Sequence, residues 1–116
     1  MKFSKLVSKQ PRKKRLALYN LPIHLRTRNV SAHLSKELRK STKKRSVRVR
    51  PGDKIIVVSG DFKKKQGKIL SVDTKRAKVY IEGIMVKKQS KQSKVKEALV
   101  AIPASNVVVL ELAERK

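Results

Sequence analysis

Cysteine is absent, so the chain can form neither a disulfide framework nor a thiolate metal site, which suits a reducing compartment. Acid is scarce as well: 8 Asp and Glu stand against 32 Lys and Arg in 116 residues, a net charge of +24. That imbalance disfavours an ordinary soluble enzyme and points to a polyanionic partner. Phe3, Tyr19, Phe62 and Tyr80 are the whole aromatic supply. Proteins that read single strands stack bases on exposed rings, so this shortage favours recognition of shape and phosphate over base reading. No run approaches the roughly 18 apolar residues of a membrane span. Nor is the basic start followed by the roughly 7 to 15 apolar residues of a secretory signal, and neither insertion nor export is expected.

What the chain does contain is unevenly distributed. Up to Arg50 there are 17 basic residues and 1 acidic, with no glycine; beyond it there are 15 basic and 7 acidic, and all four glycines. The second part also holds 28 of the 45 apolar residues, and 16 of those 28 are Val or Ile, whose stiff χ1 favours extended chain. Residues 1–47 therefore read as a basic N-terminal extension, and residues 48–116 as the folded domain.

Within the second part, Lys54–Val58, Lys68–Val72, Lys78–Glu82, Ile84–Lys87, Ala98–Ile102 and Val107–Glu111 have strand character and are separated by turn chemistry. Pro51-Gly52-Asp53 turns into the first run and Ser59-Gly60-Asp61 out of it. Gly67 serves either a positive φ or a close backbone approach. Asp73–Arg76 is a short hairpin connection, and Pro103–Asn106 a turn or a single helical turn. Many short strands at close spacing predict a mainly β fold closed into a small barrel.

The extension carries one well-signalled helix, near residues 36–41. Ser35 caps it, Glu37 sits at its positive end, and Arg39 and Lys40 lie towards its negative end. Leu34 and Leu38 then share a face that can dock on the barrel. Pro22–Arg28 is expected to form a further turn or two, with proline at the first helical position. Residues 1–20 show no sustained period and are expected to be extended, ordered only by a partner.

The stretch Arg50-Pro-Gly-Asp-Lys-Ile-Ile-Val-Val-Ser-Gly-Asp-Phe-Lys-Lys-Lys-Gln-Gly-Lys-Ile69 resembles the KOW motif, in which apolar positions alternate around a glycine-bounded basic loop. Gly60 and Gly67 let the loop bend, Phe62 anchors its base, and Lys63, Lys64 and Lys65 project as phosphate-seeking charges. The motif often has glycine where this chain has Lys64. Upstream, Leu34–Arg39 followed by Arg45-Ser46-Val47, and downstream, Pro103–Val109, add matches in order and spacing. Together they resemble the universal large-subunit ribosomal protein family twenty-four, in its archaeal and eukaryotic branch, over about residues 20 to 112. The resemblance implies an SH3-like barrel bound to large-subunit ribosomal RNA near its 5′ end. It also implies a part in early subunit assembly and a place by the polypeptide exit tunnel. A cytoplasmic location in the ribosome follows, in one copy beside neighbouring large-subunit proteins, with no homo-oligomer and no cofactor.

Independently of that resemblance, a chain of +24 can neutralise many phosphates, and each contact adds about 0.7 to 0.9 to the slope of log affinity against log salt. The residues assigned to RNA are Arg12, Lys13, Lys14 and Arg15; His24, Arg26 and Arg28; Arg39, Lys43, Lys44 and Arg45; Arg48 and Arg50; Lys63, Lys64 and Lys65; and Lys87, Lys88, Lys91 and Lys94, the last four at an expected hairpin tip. His24 and His33 have only Glu37 nearby, so no metal site is expected. Asp53 and Asp61 flank turns, where a carboxylate caps local N–H groups, and neither has a His or Ser partner at a catalytic spacing. No enzymatic activity is expected. The competing reading, a transcription-associated KOW module binding polymerase or nascent RNA, normally requires another domain before the barrel, and the first 47 residues are too short and too basic for one.

Overall fold

The computed structural model describes residues 8–90 and 93–115, with the side chains of 89, 90 and 93–95 left aside. Seven strands form one sheet in the order β2-β1-β7-β3-β4-β5-β6. In chain order these are β1 (Ser31–Leu34), β2 (Ser46–Arg48), β3 (Lys54–Val57), β4 (Gln66–Asp73), β5 (Lys78–Ser90), β6 (Ser93–Pro103) and β7 (Val107–Glu111). Three short helices, α1 (Pro11–Tyr19), α2 (Ile23–Asn29) and α3 (Lys36–Thr42), and a single 3₁₀ turn (Ala104–Asn106) complete it. Every pairing is antiparallel except β1 with β7, which run parallel through His33 opposite Val108.

Alternation builds the core. Ile55 and Val57 on β3, Val79 and Ile81 on β5, and Val107 and Val109 on β7 point inward at successive odd positions, and all are buried. Leu34 of β1, Ile69 of β4, Ile102 of β6 and Ala104 of the 3₁₀ turn join the same cluster. A sheet whose strands from both halves share one aliphatic core is curled on itself, the expected small barrel-like β fold. Two strands come from upstream of residue 48: β1 supplies Ala32 and Leu34 to the core, and β2 pairs with it through Ala32 opposite Val47.

The glycine choices have separate causes. Gly67 has no positive φ. A Cβ there would lie 2.7 Å from the Glu82 carbonyl oxygen and 2.7 Å from the Ile81 Cγ2, so the second of its two expected roles, close approach, is the one it fills. Gly83 has φ +80 and lies where the β5–β6 register shifts between Tyr80 and Met85, so the two strand runs expected on either side of it are one bent strand. Beyond Ile81, β5 pairs only with β6 among the described residues, and the two continue as a ribbon to Ser90 opposite Ser93.

One expectation is corrected. Residues 11–19, read as extended, form α1: Pro11 occupies its first turn, and Arg, Lys, Leu and Ala are all good helix formers. No residue of α1 is buried, which is why no apolar period announced it. By contrast α3 forms as read, with Ser35 Oγ accepting from the Leu38 N–H at 3.4 Å and Leu38 packed against the core.

Candidate nucleic-acid interface

The loop between β3 and β4 is a folded structure, held by its own backbone. Lys64 N–H donates to the Val57 carbonyl (2.8 Å) and Val57 N–H to the Lys65 carbonyl (2.9 Å), so the loop closes on the strand it leaves. Lys63 N–H and Lys65 N–H donate to the Gly60 and Phe62 carbonyls, and Gly60 carries φ +98. Lys64 itself sits at φ +71, so the left-handed conformation that glycine would take without strain is here imposed on a lysine. Phe62 packs against the core, and the Lys65 ammonium lies 5.0 Å from its ring centroid, a cation–π contact. Lys63, Lys64 and Lys65 are all exposed. The result is a preformed backbone tip bearing three cations, so that binding has mainly the lysine side chains left to order.

A second cationic surface forms where α3 ends. Lys43 takes φ +56 and its N–H donates to the Arg39 carbonyl, closing the helix and swinging the chain back towards β2. Arg39, Lys43, Lys44 and Arg45 thereby line one shallow concavity of about 230 Å³. Arg39 Nε is buried there with no hydrogen-bond partner among the described residues. The exposed ends of these four side chains offer charge-assisted donors of the kind an oxyanion takes.

The remaining assigned residues are spread along other elements. Arg12, Lys13, Lys14 and Arg15 are exposed on α1, and His24 and Arg28 on α2. Arg26 is partly buried, with its Nε donating to the Leu21 carbonyl at 2.9 Å. Arg48 and Arg50 have exposed side chains while their backbones are engaged: the Arg48 carbonyl accepts from Arg115, and the Arg50 N–H donates to Asp53. Lys87 and Lys88 are exposed on the ribbon; Lys94 belongs to β6, and Lys91 lies outside the described residues. The structure therefore groups Lys63–Lys65 in one place and Arg39 with Lys43–Arg45 in another, and does not gather the assigned residues into a single site.

Much of the scarce acid serves the fold. Asp53 is fully buried; its Oδ2 accepts from Arg50 N–H (3.0 Å) and Arg115 Nη2 (3.1 Å), and its Oδ1 from Ala113 N–H (2.8 Å). The local cap expected at this turn is present, but the larger role, tying the C-terminal segment to the entrance of β3, joins residues 62 apart and left no mark in the sequence. Asp73 Oδ1 accepts from the Lys75 and Arg76 N–H groups and shapes the β4–β5 turn. Glu111 pairs with Lys54 at 3.2 Å on the surface. Among the described residues these two ion pairs, Lys54–Glu111 and Arg115–Asp53, are the only ones, so almost all of the positive charge faces solvent uncompensated. Among the same residues no group of three His, Asp or Glu could hold a metal, and no helix is long and apolar enough to cross a membrane.

The family that unites eukaryotic ribosomal protein L26 with its archaeal counterpart, the archaeal protein twenty-four, matches residues 8–116, including α1, both upstream strands and the whole sheet, and the chain belongs to that family. Its place is accordingly in the large subunit of the ribosome, where the role of that family is structural.

Proposed function

We propose, with that family as premise, that the protein binds large-subunit ribosomal RNA directly and fixes the relative placement of RNA segments that would otherwise repel. The observation that supports it best is the gathering of seven of its cations on two preformed surfaces, the Lys63–Lys65 tip and the concavity of Arg39 with Lys43–Arg45, both anchored to one sheet. A rigid body holding two phosphate-seeking surfaces at fixed separation sets the geometry between the strands they touch. Helices α1 and α2, the exposed Arg48 and Arg50, and the β5–β6 ribbon add further contacts along the backbone. Phosphate contacts position without reading sequence, so register comes from shape.

The finer placement, near the 5′ end of the RNA, beside the polypeptide exit tunnel, in the cytoplasm and early in subunit assembly, rests on the family resemblance. Sedimentation through a sucrose gradient at moderate salt tests the reading. The protein is expected in the large-subunit peak and in early precursor particles; its recovery with RNA polymerase, and not with subunits, would favour the transcription-associated alternative.

A further inference from the structure

A cleft of about 760 Å³ opens between the α1–α2 corner and the β4–β5 turn, and its lining has an unusual composition. Leu18 and Tyr19 form an apolar wall, and Arg26, Lys75, Arg76 and Lys78 supply four cations, with no carboxylate among the lining residues. Each wall is shaped by its own local bonds. The Asn20 N–H donates to the Leu16 carbonyl and closes α1 beneath the two apolar side chains. Arg26 is held by its Nε to the Leu21 carbonyl. On the far side, the Asp73 carboxylate, which could have entered the cleft, is turned onto the Lys75 and Arg76 N–H groups; Ala77 at φ +54 and the Ala104 N–H bonded to the Ala77 carbonyl fix the exit of the turn.

Tyr19 is 66% exposed and Leu18 52% exposed. In a chain with four aromatic residues, one ring left open beside walls whose charged residues are all cations, with Asn29, Thr74 and Ala77 between them, is the place for a ligand that is at once planar, apolar on its faces and anionic. A nucleotide has that combination. A cleft of this volume has the size of small-ligand sites and cannot enclose a duplex, which would instead meet the exposed cations on its rim.

We infer that this cleft receives a single unpaired nucleotide extruded from the bound RNA. Its base stacks on Tyr19 against Leu18, and its flanking phosphates lie on Arg26 and Arg76. This rests on the RNA-binding reading above and adds to it: shape and phosphate dominate elsewhere on the surface, and one base is gripped here. Charge selects this occupant over an apolar protein segment, which would leave four cations facing each other without counter-charge.

The test uses large subunits purified from cells carrying the native protein, Tyr19→Phe or Tyr19→Ala, probed with dimethyl sulfate and a 2′-hydroxyl acylating reagent. One unpaired ribosomal RNA nucleotide should be protected in native and Tyr19→Phe subunits. Its reactivity should rise about fivefold or more in Tyr19→Ala, as expected for loss of one base–aromatic stack. Arg26→Gln should raise the same nucleotide to a smaller extent, which gives a second reading if Tyr19→Ala fails to assemble. Identical reactivity of every unpaired nucleotide in native, Tyr19→Ala and Arg26→Gln subunits that still hold the protein would overturn the inference, as would changes confined to protein neighbours. Absence of the native protein from the subunits would instead overturn the RNA-binding reading beneath it.

Discussion

Lys64 occupies a left-handed backbone conformation that costs an L-residue about 1–2 kcal/mol relative to glycine, while glycine gives back about 0.5–1 kcal/mol through the freedom of the unfolded chain. Lys64→Gly should therefore stabilise the free protein by about 0.5–1 kcal/mol by urea denaturation. Lys64→Ala, which removes the same charge without relieving the strain, should give no comparable gain. Gly67 shows the opposite constraint, since even a methyl group would collide with the Glu82 carbonyl and Ile81. Gly67→Ala should cost about 2–3 kcal/mol, as overpacking does, and a denaturation midpoint unchanged from native would show that β4 and β5 do not approach as described. Asp53 is the third such residue. Asp53→Ala leaves two backbone N–H groups without an acceptor and the guanidinium of Arg115 with only the Arg48 carbonyl, and should cost about 3 kcal/mol or more; Arg115→Ala, which leaves the carboxylate two backbone donors, should cost less. Equal losses from the two variants would contradict the network.

At the scale of elements, the strands were legible because their burial alternates and their ends carry Gly, Pro or Asx chemistry: β7 runs over Val107–Glu111 as read, and β3 differs by one residue. Helix α3 was legible through Ser35 and Glu37. Helix α1 was not, because a hydrophobic period exists only where a face packs, and α1 packs nothing. Nor were β1 and β2, three or four residues each: β1 depends on a parallel pairing to β7 more than seventy positions away, and β2 pairs with β1. The candidate site divides along the same line. A run such as Lys63-Lys64-Lys65 can be read directly, but the concavity of Arg39 with Lys43–Arg45 depends on the left-handed turn at Lys43, and the cleft at Tyr19 on two elements far apart in sequence. For the loop, replacing Lys63, Lys64 and Lys65 together with alanine should weaken RNA binding. The slope of log affinity against log salt should flatten by about 2, since each lost phosphate contact removes about 0.7 to 0.9. An unchanged slope would remove the tip from the interface.

At the scale of the molecule, the shape is extended. The radius of gyration is 16.8 Å, against about 13 Å for a compact chain of this length. A molecule 53 Å in its longest dimension spreads its cations over a larger perimeter than a sphere would, which lowers self-repulsion and lengthens the reach along RNA. Repulsion remains, with two ion pairs to offset it among the described residues. Thermal stability of the free protein should therefore rise with sodium chloride as the Debye length contracts from about 30 Å at 0.01 M to about 10 Å at 0.1 M, and rise further with bound RNA by mass action. A melting temperature indifferent to both would mean that charge does not govern this fold. The most direct measurement of the central claim is protein–RNA crosslinking in intact large subunits, mapped to peptide and nucleotide together. Crosslinks from both the Lys63–Lys65 tip and the Arg39–Arg45 concavity to separate segments of large-subunit ribosomal RNA are predicted; crosslinks from neither surface, in subunits that contain the protein, would contradict the account.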